Sequence, residues 1–167
     1  YEAYLDDYNC LDVYMSKNFF GGKSRIFHMK DTKNRIIPLT IQSQSDLYNG
    51  FTHYALSLNG NLEIGQEYTV YDEHCKTCVA KYSYIVKTER FAKEFMYEQD
   101  DLGVTYTPEK TIFKVWAPTA LSVNVGYVLN GKKIVESMVR QDKGVFSLTV
   151  NSDLNGVHYS YLVRVNG

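Results

Sequence analysis

At 167 residues the chain has room for one medium domain or two small ones, and with 44% hydrophobic and 22% charged residues it is globular rather than disordered. Lys and Arg total 18 against 19 for Asp and Glu, with no one-sided basic stripe to neutralise phosphates, so no nucleic-acid partner is expected. No apolar run approaches the roughly 20 residues that span a bilayer, and no membrane partner is expected either. The outstanding bias is 15 Tyr against one Trp and three Pro, which suits pleated, half-buried strand surfaces.

Period-two alternation dominates from the start. Leu11, Val13 and Met15 fall on one face and Asp12, Tyr14 and Ser16 on the other, after a polar Asp6-Asp7-Tyr8-Asn9 stretch that suits a hairpin tip. Further strands are predicted over 25–29, 35–41, 52–58, 67–71 and 79–86. They are separated by Gly21-Gly22, Lys33-Asn34, Asn49-Gly50 and Asn59-Gly60, which are turn dipeptides at hairpin spacing. The segment 89–97 is the exception, because Phe91 and Phe95 stand four apart and share one face of a helical turn. The polar run Glu98-Gln99-Asp100-Asp101 follows, and the predicted domains are 1–96 and 97–167.

Five strands are predicted in the second domain, over 111–116, 122–129, 133–139, 145–150 and 157–165, with turns at Asn130-Gly131, Lys143-Gly144 and Asn155-Gly156. Short strands at such spacing suggest a sandwich. In the segment 111–118, TIFKVWAP, Phe113 and Val115 take one face while Ile112, Lys114 and Trp116 take the other; Pro118 removes a ladder donor and ends the strand. Trp116 therefore lies off the core face, where a wet-edged indole suits the docking of a neighbouring domain. The last strand sets Tyr159, Tyr161, Val163 and Val165 against His158, Ser160, Leu162 and Arg164, so its polar side is expected to be open or an interface.

No catalytic residue is predicted. No G-x-S-x-G or Gly-rich phosphate loop occurs, and the four histidines are scattered. The adjacent acids Asp6-Asp7 and Asp100-Asp101 read as solvated turns, since general acid and base chemistry needs carboxyls facing each other across a substrate. His74-Cys75-Lys76-Thr77-Cys78 has metal-like spacing, but a zinc site needs four ligands and no second C-x-x-C exists. It reads as a hairpin tip; neither metal nor cofactor is assigned. With Cys10 the cysteines number three, an odd count that favours a reducing, cytoplasmic setting. The tyrosines leave two readings: flat faces that stack on a sugar ring, or rings that fill cores and cross-strand pairs. Tyr4 and Tyr14, beside the first hairpin, are the candidate carbohydrate-binding pair, because Tyr14 falls on the polar face of its strand.

From Asp101 the chain reads DLGVTYTPEKTIFKVWAPTALSVNV, with Lys143-Gly144-Val145, Asp153-Leu154-Asn155-Gly156 and Tyr159-Ser160-Tyr161 following. This resembles the isoamylase-type N-terminal module, carbohydrate-binding module family 48, and within it the type I pullulanases more than glycogen-branching relatives. The opening YEAYLDDYNCLDV and the residues 87–95 resemble the additional N-terminal domain of some bacterial type I pullulanases.

The resemblance implies an all-β chain of two consecutive β-sandwich modules, the second immunoglobulin-like. It implies a non-catalytic N-terminal piece of an enzyme whose (β/α)8 barrel, absent from this sequence, hydrolyses α-1,6 links with an Asp nucleophile and a Glu acid. The implied partners are that barrel and an α-glucan such as pullulan, amylopectin or glycogen-derived dextrins. A purely structural pair of sandwiches that binds no sugar is the alternative.

Overall fold

The first hairpin forms where alternation meets a turn. Strands β1 (Glu2–Asp7) and β2 (Cys10–Ser16) pair antiparallel across Tyr8 and Asn9, burying Ala3, Leu5, Leu11, Val13 and Met15 on one face. Strands β3 (Phe27–Lys30), β4 (Ile36–Asp46), β5 (Phe51–Leu58), β6 (Thr69–Asp72) and β7 (Thr77–Tyr82) follow. Their order is β1-β2-β5-β4-β3-β6-β7, and a parallel pairing of β7 with β1, Ala3 opposite Ala80, closes the sheet on itself. The first module is thus one continuous sheet closed into a barrel, with Phe27, Met29, Tyr54, Leu56 and Val70 enclosed.

Strand β4 runs five residues beyond the predicted 41, through the polar Gln42-Ser43-Gln44-Ser45-Asp46. Backbone pairing with β5 recruits this segment although its side chains are exposed and show no apolar alternation. Strand β7 stops at Tyr82, earlier than predicted, and a 3-10 turn over Tyr84–Lys87 buries Ile85 instead. The one α-helix among the described residues, α1 (Glu89–Phe95), is the predicted helical turn, with Phe91 and Phe95 both buried.

Much of the tyrosine surplus is structural. The Tyr54 hydroxyl donates to the Gly22 carbonyl at 3.2 Å and accepts the Ser24 N–H at 3.0 Å. Tyr68 closes the 63–68 loop through both the N–H and the carbonyl of Glu63, and Tyr82 accepts the N–H groups of Gly65 and Gln66. Tyr54 and Tyr68 bury their rings, Tyr82 is half-buried, and each spends its hydroxyl on backbone that the adjoining loop leaves unpaired.

The computed structural model describes residues 1–166, and these divide into two compact units, Tyr1–Ala92 with Asn166 and Lys93–Val165. In the second, β8 (Gly103–Tyr106), β9 (Thr111–Trp116), β10 (Ser122–Leu129), β11 (Lys132–Ser137), β12 (Val139–Arg140), β13 (Val145–Val150) and β14 (Tyr159–Arg164) form two antiparallel sheets, β11-β10-β14 and β12-β13-β9-β8. Phe113 and Phe146 of one sheet meet Val123, Val125 and Tyr127 of the other in the sandwich core. The predicted strand 133–139 splits at buried Met138, so that β11 and β12 serve different sheets.

Strand β8 was not visible as alternation, because its residues are largely exposed and only backbone pairing with β9 defines it. The tip between β12 and β13 packs on the end of the TIFKVWAP strand. Gly144, at φ +71°, leaves no room for a side chain, since a Cβ there would lie 2.6 Å from Pro118 Cα. Its carbonyl accepts the Ala117 N–H at 2.9 Å.

Candidate functional site

The outer face of β1, β2 and β5 carries what the hairpin's inner face excludes. Because side chains alternate along each strand, burying Leu11, Val13 and Met15 turns Asp12 and Tyr14 outward, and burying Ala3 and Leu5 does the same for Glu2, Tyr4 and Asp6. Register then sets neighbours: Tyr4 lies opposite Asp12, Glu2 opposite Tyr14, Tyr14 opposite His53, and Tyr4 beside Lys81 across the closing pair. The predicted carbohydrate pair, Tyr4 and Tyr14, is brought into contact with ring centroids 6.0 Å apart and planes inclined by 73°. Tyr14 also stacks on the His53 ring at 4.8 Å, and the Lys81 ammonium stands 5.9 Å from the Tyr4 ring centre.

Carboxyls border this row of rings. Glu2, Tyr4, Asp6, Asp12, Tyr14 and Ser83 line an open depression of about 370 Å³. His53 Nε2 and Asp12 Oδ1 are 2.5 Å apart, and Asp12 shares a further hydrogen bond with Asp6. Burial, reinforced by that contact, pushes the Asp12 carboxyl above its ordinary value. The hydrogen bond from Asp12, with the Tyr84 N–H in support, holds Asp6 below its own. The two behave as one proton-sharing pair. Glu2 accepts the Tyr4 hydroxyl at 2.9 Å and thereby raises the phenol's pKa.

Such a surface offers apolar ring faces beside hydroxyl acceptors, which is the chemistry of sugar contact. It is not that of glycoside cleavage, which sets two carboxyls some 5 to 9 Å apart across the scissile bond, whereas Asp6 and Asp12 touch directly. Tyr4 and Tyr14 were predicted from strand facing alone. Asp6, Asp12, His53 and Lys81 were not, because their neighbourhood depends on pairing between strands up to 77 positions apart.

The other predicted positions lie elsewhere. Trp116, on the outward side of β9, is 46% exposed, and its Nε1–H donates to the Phe95 carbonyl at 2.9 Å. His74, Cys75 and Cys78 lie at the β6–β7 hairpin, where Asp72 accepts the N–H groups of His74 and Lys76. Burial raises the Cys78 thiol to about 12 while Cys75 stays exposed, and all three cysteines are free. No group of three or more potential metal ligands converges among the described residues. Asp101 binds Lys114 at 2.5 Å and receives the Tyr97 hydroxyl, so this acid anchors β9 rather than standing free in a turn.

Residues 1–87 match the family model of the pullulanase N1-terminal domain, over half of the chain. The chain belongs to that family. Residues 101–167 match carbohydrate-binding module 48, the isoamylase N-terminal domain. A pullulanase from Bacillus subtilis (strain 168) is 28% identical over 167 residues, covering 99% of this chain and 23% of the relative. The crystal structure of the Bacillus subtilis str. 168 type I pullulanase complexed with maltose superposes with a TM-score of 0.90 at 28% identity, again over 99% and 23%. The structure of the Anoxybacillus sp. LM18-11 pullulanase complexed with maltotriose gives a TM-score of 0.90 at 32% identity, over 99% of this chain and 24% of that one. This member of the pullulanase N1-terminal family therefore spans about a quarter of the length of these relatives and corresponds to their N-terminal, carbohydrate-binding-module-bearing region.

Proposed function

We propose that the chain is the non-catalytic region of a pullulanase-type debranching enzyme, holding an α-glucan on its first unit while a (β/α)8 barrel cleaves α-1,6 branch links. The observation that carries this reading is the Tyr4–Tyr14 pair, two half-exposed rings in contact, bordered by Asp6, Asp12 and Glu2 on one open face. Rings of this kind take the C–H face of a glucosyl residue, and the carboxyls accept its hydroxyl protons. The names of the relatives, pullulanases complexed with maltose and maltotriose, support an α-glucan over other sugars. Pullulan, amylopectin and glycogen-derived dextrins all present the required chains. Trp116, half-exposed and fixed by its bond to Phe95, is the point we assign to docking of the barrel. Three free thiols accord with a reducing cytoplasm.

A purely structural role is the second reading, favoured by Tyr54, Tyr68 and Tyr82, whose hydroxyls are spent on loop backbone. NMR titration of the chain with maltotetraose separates the two. Sugar contact moves the Tyr4 and Tyr14 ring signals, and the Tyr4→Ala/Tyr14→Ala double variant weakens binding at least tenfold. Unmoved signals at millimolar sugar would leave the structural reading.

A further inference from the structure

Strand β2 lies between β1 and β5, so Tyr14 has a ring contact on each side. Tyr4 meets it edge-on from β1, and His53, opposite Tyr14 in the β2–β5 register, stacks on it from β5 at 4.8 Å with the planes 27° apart. Burial, with Asp12 and Asp6 beside it, pushes the Tyr14 phenol above its ordinary value, and the hydrogen bond to Glu2 does the same for Tyr4. Both phenols therefore stay neutral near physiological pH. Of the three rings only His53 belongs to a residue type that ordinarily changes its charge between about pH 5 and 8.

The same imidazole reaches the acids of the depression. Its Nε2 stands 2.5 Å from Asp12 Oδ1, and Asp12 shares its further hydrogen bond with Asp6. The side chains of His53 and Asp12 are only 23% and 15% exposed, so water and salt screen this contact less than they screen a surface pair. The other groups around His53 do not replace it. Strand β4 sets uncharged Ser45 opposite it, and Asp46 nearby is taken by Lys17 and Lys23. On β2, burial and the neighbouring acids raise the Cys10 thiol and keep it neutral. From β1 come Glu2 and Asp6, both acids; the Lys81 ammonium of β7 stands at the far ring, 5.9 Å from the centre of Tyr4.

A protonated imidazole therefore does two things here at once. It supplies the counter-charge that two carboxylates in direct contact need when both are ionised, and it draws the electron-rich face of Tyr14 as a cation does within about 6 Å of a ring centre. Losing the proton removes the charge from both contacts, leaving the acids to repel and the Tyr14 ring less firmly seated.

We infer that His53 is a positioning residue for the Tyr4–Tyr14 face, its protonation setting how firmly Tyr14 and Asp12 are held for the sugar. The ligand rests on the proposed function; the coupling of His53 to Tyr14 and Asp12 rests on the geometry.

Two measurements test it. Without sugar, the Tyr14 ring signals in NMR spectra should titrate together with those of His53 between about pH 5 and 8. That movement should vanish in His53→Phe, which keeps a flat ring beside Tyr14 but takes no proton. With maltotriose, the wild-type dissociation constant should rise about threefold or more from pH 6 to pH 8 (approximately), and in His53→Phe it should be the same at both. His53→Gln, a second variant that keeps a donor for Asp12 without ring or charge, should also bind independently of pH. Maltotriose binding that is flat with pH in the wild type, or equally pH-dependent in both variants, overturns the inference and leaves the proposed function standing. Tyr14 signals that do not follow His53 overturn it as well. No maltotriose binding at any pH removes the proposed function and this inference with it.

Discussion

The indole Nε1 of Trp116 and the backbone carbonyl of Phe95 are joined by a 2.9 Å hydrogen bond. Phe95 ends α1, and the last carbonyls of a helix have no partner within it. The only Trp of the chain, at the end of β9, supplies one. Trp116→Phe keeps most of the ring and deletes the donor, so about 1 kcal/mol of second-unit stability should be lost, read from urea denaturation by circular dichroism. In the wild type the indole N–H should exchange with solvent more slowly than a free indole despite its half-exposed ring.

Gly144 and Gly156 make a controlled pair. Both have positive φ, +71° and +73°, but a Cβ at Gly144 meets Pro118 at 2.6 Å whereas one at Gly156 meets nothing within 4 Å. Gly156→Ala should cost about 1 kcal/mol through backbone strain alone. Gly144→Ala adds overpacking and should cost a further ~1–3 kcal/mol. Thermal denaturation of the two variants checks the difference, and equal losses would contradict the close approach.

Phe113 is the ring around which the two sheets of the second unit meet. Phe113→Ala should remove about 3–5 kcal/mol. Amide signals from residues 93–165 should lose protection against exchange, while the core amides of the first unit, such as those of Leu11 and Val13, keep theirs.

The Asp6–Asp12 pair has a definite pH signature. Asp12 titrates above its unfolded value, so between the two values the folded state binds more protons, and the group's stabilisation falls as pH rises through the folded pKa. Asp6 is depressed, so its contribution is present above the unfolded value and is lost as pH falls through the folded one. Asp12→Asn keeps a partner for Asp6 but removes the first dependence. The stability of that variant should no longer decline with pH just above the ordinary carboxylate range of ~4, as denaturation midpoints across pH 3–7 (approximately) would show.

Thiol reactivity should follow exposure. Cys75 lies open at its hairpin tip, whereas Cys78 is partly buried and that burial pushes its thiol pKa up to about 12. A maleimide at neutral pH should label Cys75 first and Cys78 only on unfolding, with mass spectrometry reading the order.

Facing was legible along single strands and lost between them. Leu11, Val13 and Met15 against Asp12 and Tyr14 could be read because one hairpin shows both its dry and wet sides. The position of Trp116 off the core face followed from the same two-residue period. Strand β8 and the second half of β4 had no such signal, since exposed segments enter a sheet through backbone hydrogen bonds that any side chain permits. The carboxyl pair was hidden for another reason. Asp6 reads as a turn residue beside Asp7, and its meeting with Asp12 depends on hairpin register; His53 enters only through the β2–β5 pairing.

The parallel pairing of β7 with β1 leaves the first unit with no strand whose amides and carbonyls point at solvent along a free edge. A strand added from another molecule, whether as a specific partner or as the first step of aggregation, therefore finds no open edge on the sheet of the first unit. Among the described residues, the two sheets of the second unit are bordered by β11 and β14 and by β12 and β8. Lys132 and Lys133 on β11 and the two-residue length of β12 discourage it there. On the four-stranded sheet that leaves β8, paired only with β9, as the side on which such an addition would begin.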